Sequence, residues 1–169
     1  MKRLHIVGRK NHGKTTLMVE LVRELTHRGW RVGTIKHSCH RHELDTPQTD
    51  SFRHRRAGAA PASIVSTDLV GIFLPRKPGD DDYARLAPLY ADCDLVLVEG
   101  HIDLPGTKIE VWRAGLGTSC LAAERPDIAA VVTDDAVDLA VPVMPRGRID
   151  QLVRFAEAII APALPEAQT

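Results

Sequence analysis

No apolar run in this 169-residue chain approaches the roughly 18 residues of a membrane-spanning helix. Its first residues lead straight into a strand pattern, without the charged start and apolar stretch of a secretory signal, so the cytoplasm is the expected compartment. Charge of one sign is missing as well, because 22 Lys and Arg balance 22 Asp and Glu. Without a net basic field the chain is not expected to hold nucleic acid or an anionic membrane surface. Two short charge runs, Arg53-His54-Arg55-Arg56 and Asp80-Asp81-Asp82, read as solvated faces. The three cysteines, Cys39, Cys93 and Cys120, are scattered and odd in number. That excludes a disulfide framework and agrees with a reducing compartment. No internal repeat is visible. What remains is an ordinary composition, 44% hydrophobic and 26% charged, with length enough for one core.

The most informative segment is Gly8-Arg9-Lys10-Asn11-His12-Gly13-Lys14-Thr15, which matches the phosphate-binding pattern G-x-x-x-x-G-K-[ST]. An apolar strand, Leu4-His5-Ile6-Val7, precedes it, and a stripe of Leu17, Met18, Leu21, Val22 and Leu25 follows at helical spacing. Strand, glycine-rich turn and amphipathic helix are the context the motif requires. The glycines let backbone N–H groups face a di- or triphosphate, and the helix adds its free N–H groups and positive dipole end. Lys14 would reach the β- and γ-phosphates, and the Thr15 hydroxyl would ligate Mg²⁺.

Gly29 marks the end of the first helix, and residues 31–35 read as a second strand, completing a β-α-β unit. A polar loop of residues 36–50 follows. Residues 50–57 fit a short helix capped by Asp50 or Ser51, and residues 62–66 and 69–74 fit a hairpin at the sheet edge. Residues 83–91 look weakly helical. Leu95-Val96-Leu97-Val98 is a continuous apolar run, as in a strand covered on both faces. Residues 108–112 and 128–133 supply further strands, and residues 149–160 an amphipathic helix ended by Pro162. The expectation is a three-layer α/β P-loop fold with a mainly parallel sheet and a β-hairpin extension. A single domain spans residues 1–162, with a disordered tail at 163–169.

The metal needs a carboxylate at a neighbouring strand end, and Glu99, closing the 95–98 run, is placed for it. Asp45 and Asp50 in the polar loop are further Mg²⁺ candidates, either directly or through water. Asp134 follows another strand, where it accepts from guanine N1 and N2 or else caps a helix; no Asn-Lys-x-Asp is present to decide. The nucleotide-binding set is therefore Gly8, Asn11, His12, Gly13, Lys14, Thr15, Thr16, Lys36 and Asp134; the metal set is Thr15, Glu99, Asp45 and Asp50. Lys36-His37-Ser38-Cys39-His40-Arg41-His42 admits three readings: phosphate or pterin contacts, a soft transition metal, or a solvated loop.

Several segments in order resemble one family. Gly13-Lys14-Thr15-Thr16-Leu17, Gly33-Thr34-Ile35-Lys36-His37, Asp45-x-Pro47-x-x-Asp50-Ser51, Ala57-Gly58-Ala59 and Leu97-Val98-Glu99-Gly100 are similar to the MobB adaptors of molybdopterin-guanine dinucleotide biosynthesis. The resemblance covers about residues 1–135. It implies a GTP-binding homodimer with weak GTPase activity that works with the guanylyltransferase joining GMP to molybdopterin and presents GTP, or the molybdopterin product, to it. Three departures stand out: Gln48 where the family has Gly, Thr49 where Lys is usual, and His101-Ile102 in place of Phe-Lys. Arg9 or Arg41 could act across a dimer, although nothing selects either. Rival readings are a metallochaperone GTPase delivering nickel or zinc through the His/Cys loop, a small-molecule kinase, and a scaffold that holds nucleotide without turnover.

Overall fold

The computed structural model describes residues 1–40 and 43–161, so Arg41, His42, Pro162 and the expected tail at 163–169 lie outside the described residues. In chain order the elements are β1 (Arg3–Val7), α1 (Lys14–His27), β2 (Val32–Lys36), α2 (Asp50–Arg56), β3 (Ala62–Val65) and β4 (Val70–Phe73). They continue with α3 (Asp82–Leu86), β5 (Leu95–Glu99), β6 (Thr107–Val111), β7 (Ile128–Val132), β8 (Val143–Met144) and α4 (Ile149–Ile160). The chain divides into two compact units, Met1–Ser38 with the chain from Ala87 onward, and Cys39–Leu86.

The first unit is an α/β layer structure on a six-stranded sheet of order β2-β5-β1-β6-β7-β8, parallel throughout. The central strand β1 pairs Leu4 with Leu97 on one side and with Thr107 on the other. Alternation then sends Leu4, Ile6, Leu95, Leu97, Ile109, Val111, Ala130 and Val132 to one face, where they meet Leu17, Leu21 and Leu25 of α1 and Leu152, Val153 and Ala156 of α4. Each fully buried leucine of this cluster contributes about 1.5–3 kcal/mol by leaving water. Helix α1 stops where the glycine predicts. Gly29 adopts φ +88°, its N–H donates to Thr26 O (2.9 Å), and the Trp30 N–H donates to Leu25 O (3.1 Å), which satisfies the last-turn carbonyls.

The opposite face is unusually polar for a buried surface. Glu110 is fully buried and accepts from the Cys120 thiol (3.1 Å) and from the N–H groups of Leu121 (2.9 Å) and Ala122 (2.8 Å). It thereby ties down the 3₁₀ turn Leu121–Ala123. Burial, reinforced by Glu110, pushes the Cys120 thiol up to about 12, so this cysteine is inert at neutral pH. Lys108 is likewise buried and pairs with Asp127 (2.9 Å). His5, on β1 between Val98 and Lys108, is fully buried. Its Nδ1 lies 3.4 Å from Gly100 O, and its Nε2 has no hydrogen-bond partner among the described residues.

In the second unit α2 begins at Asp50 as expected, but the cap is Thr49, whose hydroxyl accepts from the Phe52 N–H (3.4 Å). The residue expected to be lysine in the family pattern thus does the capping. Gln48, where the family pattern has glycine, takes φ +74°, a left-handed backbone that costs a side-chain-bearing residue about 1–2 kcal/mol. Strands β3 and β4 form the expected hairpin, antiparallel with Ala62 opposite Phe73. It is a separate two-stranded sheet, not an extension hydrogen-bonded to the edge of the six-stranded one. Short β8 and the 3₁₀ turns had no periodic signal in the sequence, since two or three residues carry no period.

His5 supplies a pH prediction. Burial depresses its pKa from 6.5 to about 4, so between those values the unfolded chain binds more protons than the native one. Stability from this group is therefore complete above the unfolded pKa and is lost as pH falls toward 4, by roughly 3 kcal/mol. Urea titrations from pH 7 to 4 should show His5→Leu losing less stability than the parent over that window; equal slopes would remove His5 as the cause.

Candidate functional site

A parallel sheet delivers the carboxyl ends of its strands to one edge, and in this chain Val7, Lys36, Glu99, Val111 and Val132 all end there. The turn of residues 8–15 leaves β1 at this edge. Gly8 takes φ +134°, and a Cβ on it would lie 2.5 Å from Val111 O, so only glycine fits between the turn and β6. Asn11, at φ +69°, takes a left-handed conformation that asparagine tolerates better than most residues. Gly13, at φ +98°, flanks the first turn of α1 and accepts from the Leu17 N–H (3.0 Å).

Thr15 and Glu99, assigned to one metal from separate parts of the sequence, are adjacent. The Thr15 hydroxyl donates to Glu99 Oε1 at 2.8 Å. The Lys36 ammonium, at the end of β2, stands 3.3 Å from the same oxygen. Two oxygen ligands at this separation suit a hard cation that keeps several waters, as Mg²⁺ does. Lys14 lies over the turn and donates to Arg9 O (2.7 Å). Burial is the main influence lowering its pKa; Glu99 opposes this and Lys36 adds to it. With Lys10, Asn11, Gly13 and Thr16, these side chains line an open cleft of about 410 Å³ whose three lysines favour a polyanion.

His12 has a structural task that the motif did not disclose. Its imidazole is buried, accepts at Nδ1 from the Arg113 N–H (2.9 Å), and must therefore donate from Nε2 to Thr118 Oγ1 (3.0 Å). Burial first, then Lys14, lowers its pKa, which keeps the ring neutral and the tautomer fixed. His12 thus fastens the turn after β6 to the phosphate-loop segment.

The remaining candidates divide between the units. Asp134 follows β7 and accepts from the Arg146 N–H (2.8 Å) through Oδ1. No helix starts there, so the capping alternative falls; residues 134–142 are irregular. Asp45 and Asp50 belong to the second unit. Asp45 is buried and accepts from Ser51 Oγ (2.9 Å), with Arg55 Nη1 3.4 Å from its other oxygen. Asp50 is exposed at the start of α2 and pairs with Arg53 (3.7 Å). In the His-rich stretch the backbone N–H of His37 donates to Glu99 O (3.0 Å), and its ring stacks on the His101 ring at 3.9 Å. Among the described residues no group of three or more His, Cys, Asp and Glu is placed to hold a metal ion.

Two arginines escaped the sequence reading. A Cβ on Gly13 would lie 3.1 Å from Arg113 Nη2 and 3.4 Å from Arg146 Nη1, and Arg146 Nη1 donates to Gly13 O at 3.4 Å. Each stands two residues beyond a parallel strand, β6 or β8, and that position was the available signal.

The family model described as molybdopterin guanine dinucleotide synthesis protein B matches residues 3–134. A molybdopterin-guanine dinucleotide biosynthesis adapter protein of Haemophilus influenzae is 33% identical over 155 residues, 91% of this chain and 86% of the relative. The Escherichia coli adapter protein is 32% identical over 154 residues, 85% and 84% of the two chains. A solved MobB homolog from Bacillus stearothermophilus superposes with a TM-score of 0.65 at 28% identity, covering 95% of this chain and 98% of that one.

The His12 fastening is testable. His12→Ala leaves the Arg113 N–H without its buried acceptor and should cost about 1–3 kcal/mol in denaturant titration. His12→Asn, which restores an acceptor near Nδ1, should recover part of that loss; no recovery would point to ring packing instead.

Proposed function

This chain belongs to the molybdopterin guanine dinucleotide synthesis protein B family, and on that premise we propose that it is an adapter that holds GTP·Mg²⁺ for a partner enzyme of molybdopterin guanine dinucleotide biosynthesis. The observation that carries this reading is the Thr15–Glu99 pair at 2.8 Å beside Lys14 and Lys36 at the carboxyl edge of a parallel sheet, an arrangement that would serve a metal and a phosphate. Residues 8–15 wrap the phosphates with backbone N–H groups, and Asn11, His12 and Thr16 shape or border that wrap. Lys14 and Lys36 neutralise charge, and Asp134 meets the base. Mg²⁺ bound to Thr15 and Glu99 would neutralise charge on the β- and γ-phosphate oxygens.

The partner is the guanylyltransferase that attaches GMP to molybdopterin, with the Lys36–His37 stretch facing nucleotide or pterin. Hydrolysis is at most slow, since the role is to present nucleotide. The cytoplasm is the compartment proposed for this adapter. None of the described helices is long and apolar enough to cross a membrane.

We also assign the chain to a homodimer, supported by the β3–β4 hairpin. It leaves Val65 77%, Leu69 72% and Val70 63% exposed, with Val65 registered opposite Val70, and a second copy would cover these side chains.

Two measurements test the nucleotide site and the dimer. Titration calorimetry with Mg²⁺ should find GTP bound more tightly than ATP and no binding of either to Lys14→Ala; undiminished affinity in that variant would remove the site. Light scattering should give twice the chain mass for the parent and the single-chain mass for the double variant Leu69→Asp, Val70→Lys. An unchanged dimer would locate the interface elsewhere.

A further inference from the structure

Three residues, Thr15, Lys36 and Glu99, line two hollows of the first unit at once. One is the phosphate-facing cleft. The other, about 480 Å³, runs between α1 and β2, past Met18, Val19, Val22 and Ile35. Strand pairing sets Lys36 directly opposite Glu99, and the His37 N–H donates to Glu99 O (3.0 Å), so the backbone at Lys36 is fixed. Its side chain is not. It is 67% exposed, with open volume on either side, whereas the Glu99 side chain is 11% exposed.

The charges at this junction are unbalanced. Lys10, Lys14 and Lys36 line the cleft, and Glu99 is its one carboxylate among the described residues. Lys14 is engaged with Arg9 O (2.7 Å), and Lys36, at 3.3 Å, is the cation on Glu99 Oε1. The Thr15 hydroxyl donates to that same oxygen at 2.8 Å. A carboxylate this far from water needs such a partner, because an unpaired buried charge is costly. A divalent cation held by Thr15 and Glu99 would take over the task and compete with the Lys36 ammonium for one oxygen. The two repel each other most strongly where water is partly excluded. The metal therefore needs Lys36 to leave, and Lys36 leaves only for another anion.

We propose that Lys36 makes metal binding at Glu99 conditional on a third phosphate, holding the carboxylate in its absence and passing to the phosphate in its presence. The inference rests on the nucleotide-holding role proposed above and deepens it by naming the residue that tells a triphosphate from a diphosphate. A metal on the threonine of this motif bridges the β- and γ-phosphates, so the third phosphate is the anion that comes to the Glu99 end of the cleft. With a diphosphate Lys36 has no new partner; it stays on Glu99, and the metal gains Thr15 alone. With a triphosphate Lys36 exchanges one oxyanion for another, and the freed carboxylate takes the metal. The open volume beside Lys36 lets the ammonium swing without displacing another side chain. The two contacts form together or not at all, and selectivity comes from what the diphosphate complex leaves unmade.

The test is calorimetric titration of the full chain with GTP and with GDP, each in Mg²⁺ and in EDTA. In the parent, Mg²⁺ should tighten GTP and leave GDP nearly unaffected. The resulting GTP preference should be about tenfold or more, the strength of one hydrogen bond between charged groups. In Lys36→Met, a substitution that the exposure of Lys36 makes harmless to folding, Mg²⁺ should tighten GDP as well, and the preference should fall by about tenfold. Three results would overturn the proposal: a parent that binds GDP as tightly as GTP in Mg²⁺, a Lys36→Met variant with the parent preference, or a lost preference with Mg²⁺ still without effect on GDP. The last would make Lys36 a phosphate contact with no hold over the metal. Failure of the parent to bind either nucleotide would instead overturn the nucleotide-holding role, and this inference with it.

Discussion

The parallel pairing of β1 with β5 on one side and β6 on the other is the constraint from which the site follows. Pairing in the same direction puts the end of β1, where residues 8–15 turn, next to the end of β5, where Glu99 stands. Ile6 is registered with Glu99, so the carboxylate meets Thr15 on the first turn of α1 although 84 residues separate them. A slip of one residue would send Glu99 to the other face of the sheet. The apolar stripe from Leu4 to Val132 against α1 and α4 prevents that slip, because it would expose the same leucines and valines that form the core. Packing energy on one face thus fixes electrostatic geometry at the edge.

The second face works by polar means. Glu110, Lys108 and His5 are buried there and, apart from His5 Nε2, are held by specific partners. A carboxylate that collects a thiol and two N–H groups from residues 120–122 specifies a loop more sharply than apolar contact does, because its acceptors are directional and costly to leave unused. His12 follows the same logic at the site itself. It spends both ring nitrogens on the segment after β6, and so stands beside the phosphate-binding turn as a structural brace that also brings Arg113 close to Gly13. The departures from the family pattern are absorbed locally: Thr49 becomes a helix cap, and Gln48 accepts a left-handed backbone instead of abandoning the turn.

Residues 8–15, α1 and the strand ending at Glu99 were legible in the sequence, because each depends on neighbours within a few positions: glycine spacing, a helical stripe, a run of four buried residues. The family resemblance was carried by segments just as local, two of them within these elements and three more at residues 33–37, 45–51 and 57–59. The ring tautomer of His12, the approach of Arg146 to Gly13 and the pairing of the hairpin strands as a sheet of their own were not legible. Each depends on partners about 100 residues or more away, or on which strands hydrogen-bond, and no local pattern encodes that. The amino-acid sequence by itself determined that this protein has a phosphate-binding turn between a strand and a helix, with a candidate metal carboxylate elsewhere in the chain. Only the tertiary structure decided that Glu99 reaches Thr15 and that Asp134 is oriented by Arg146, because those meetings are set by sheet register and strand order, which are properties of long-range pairing.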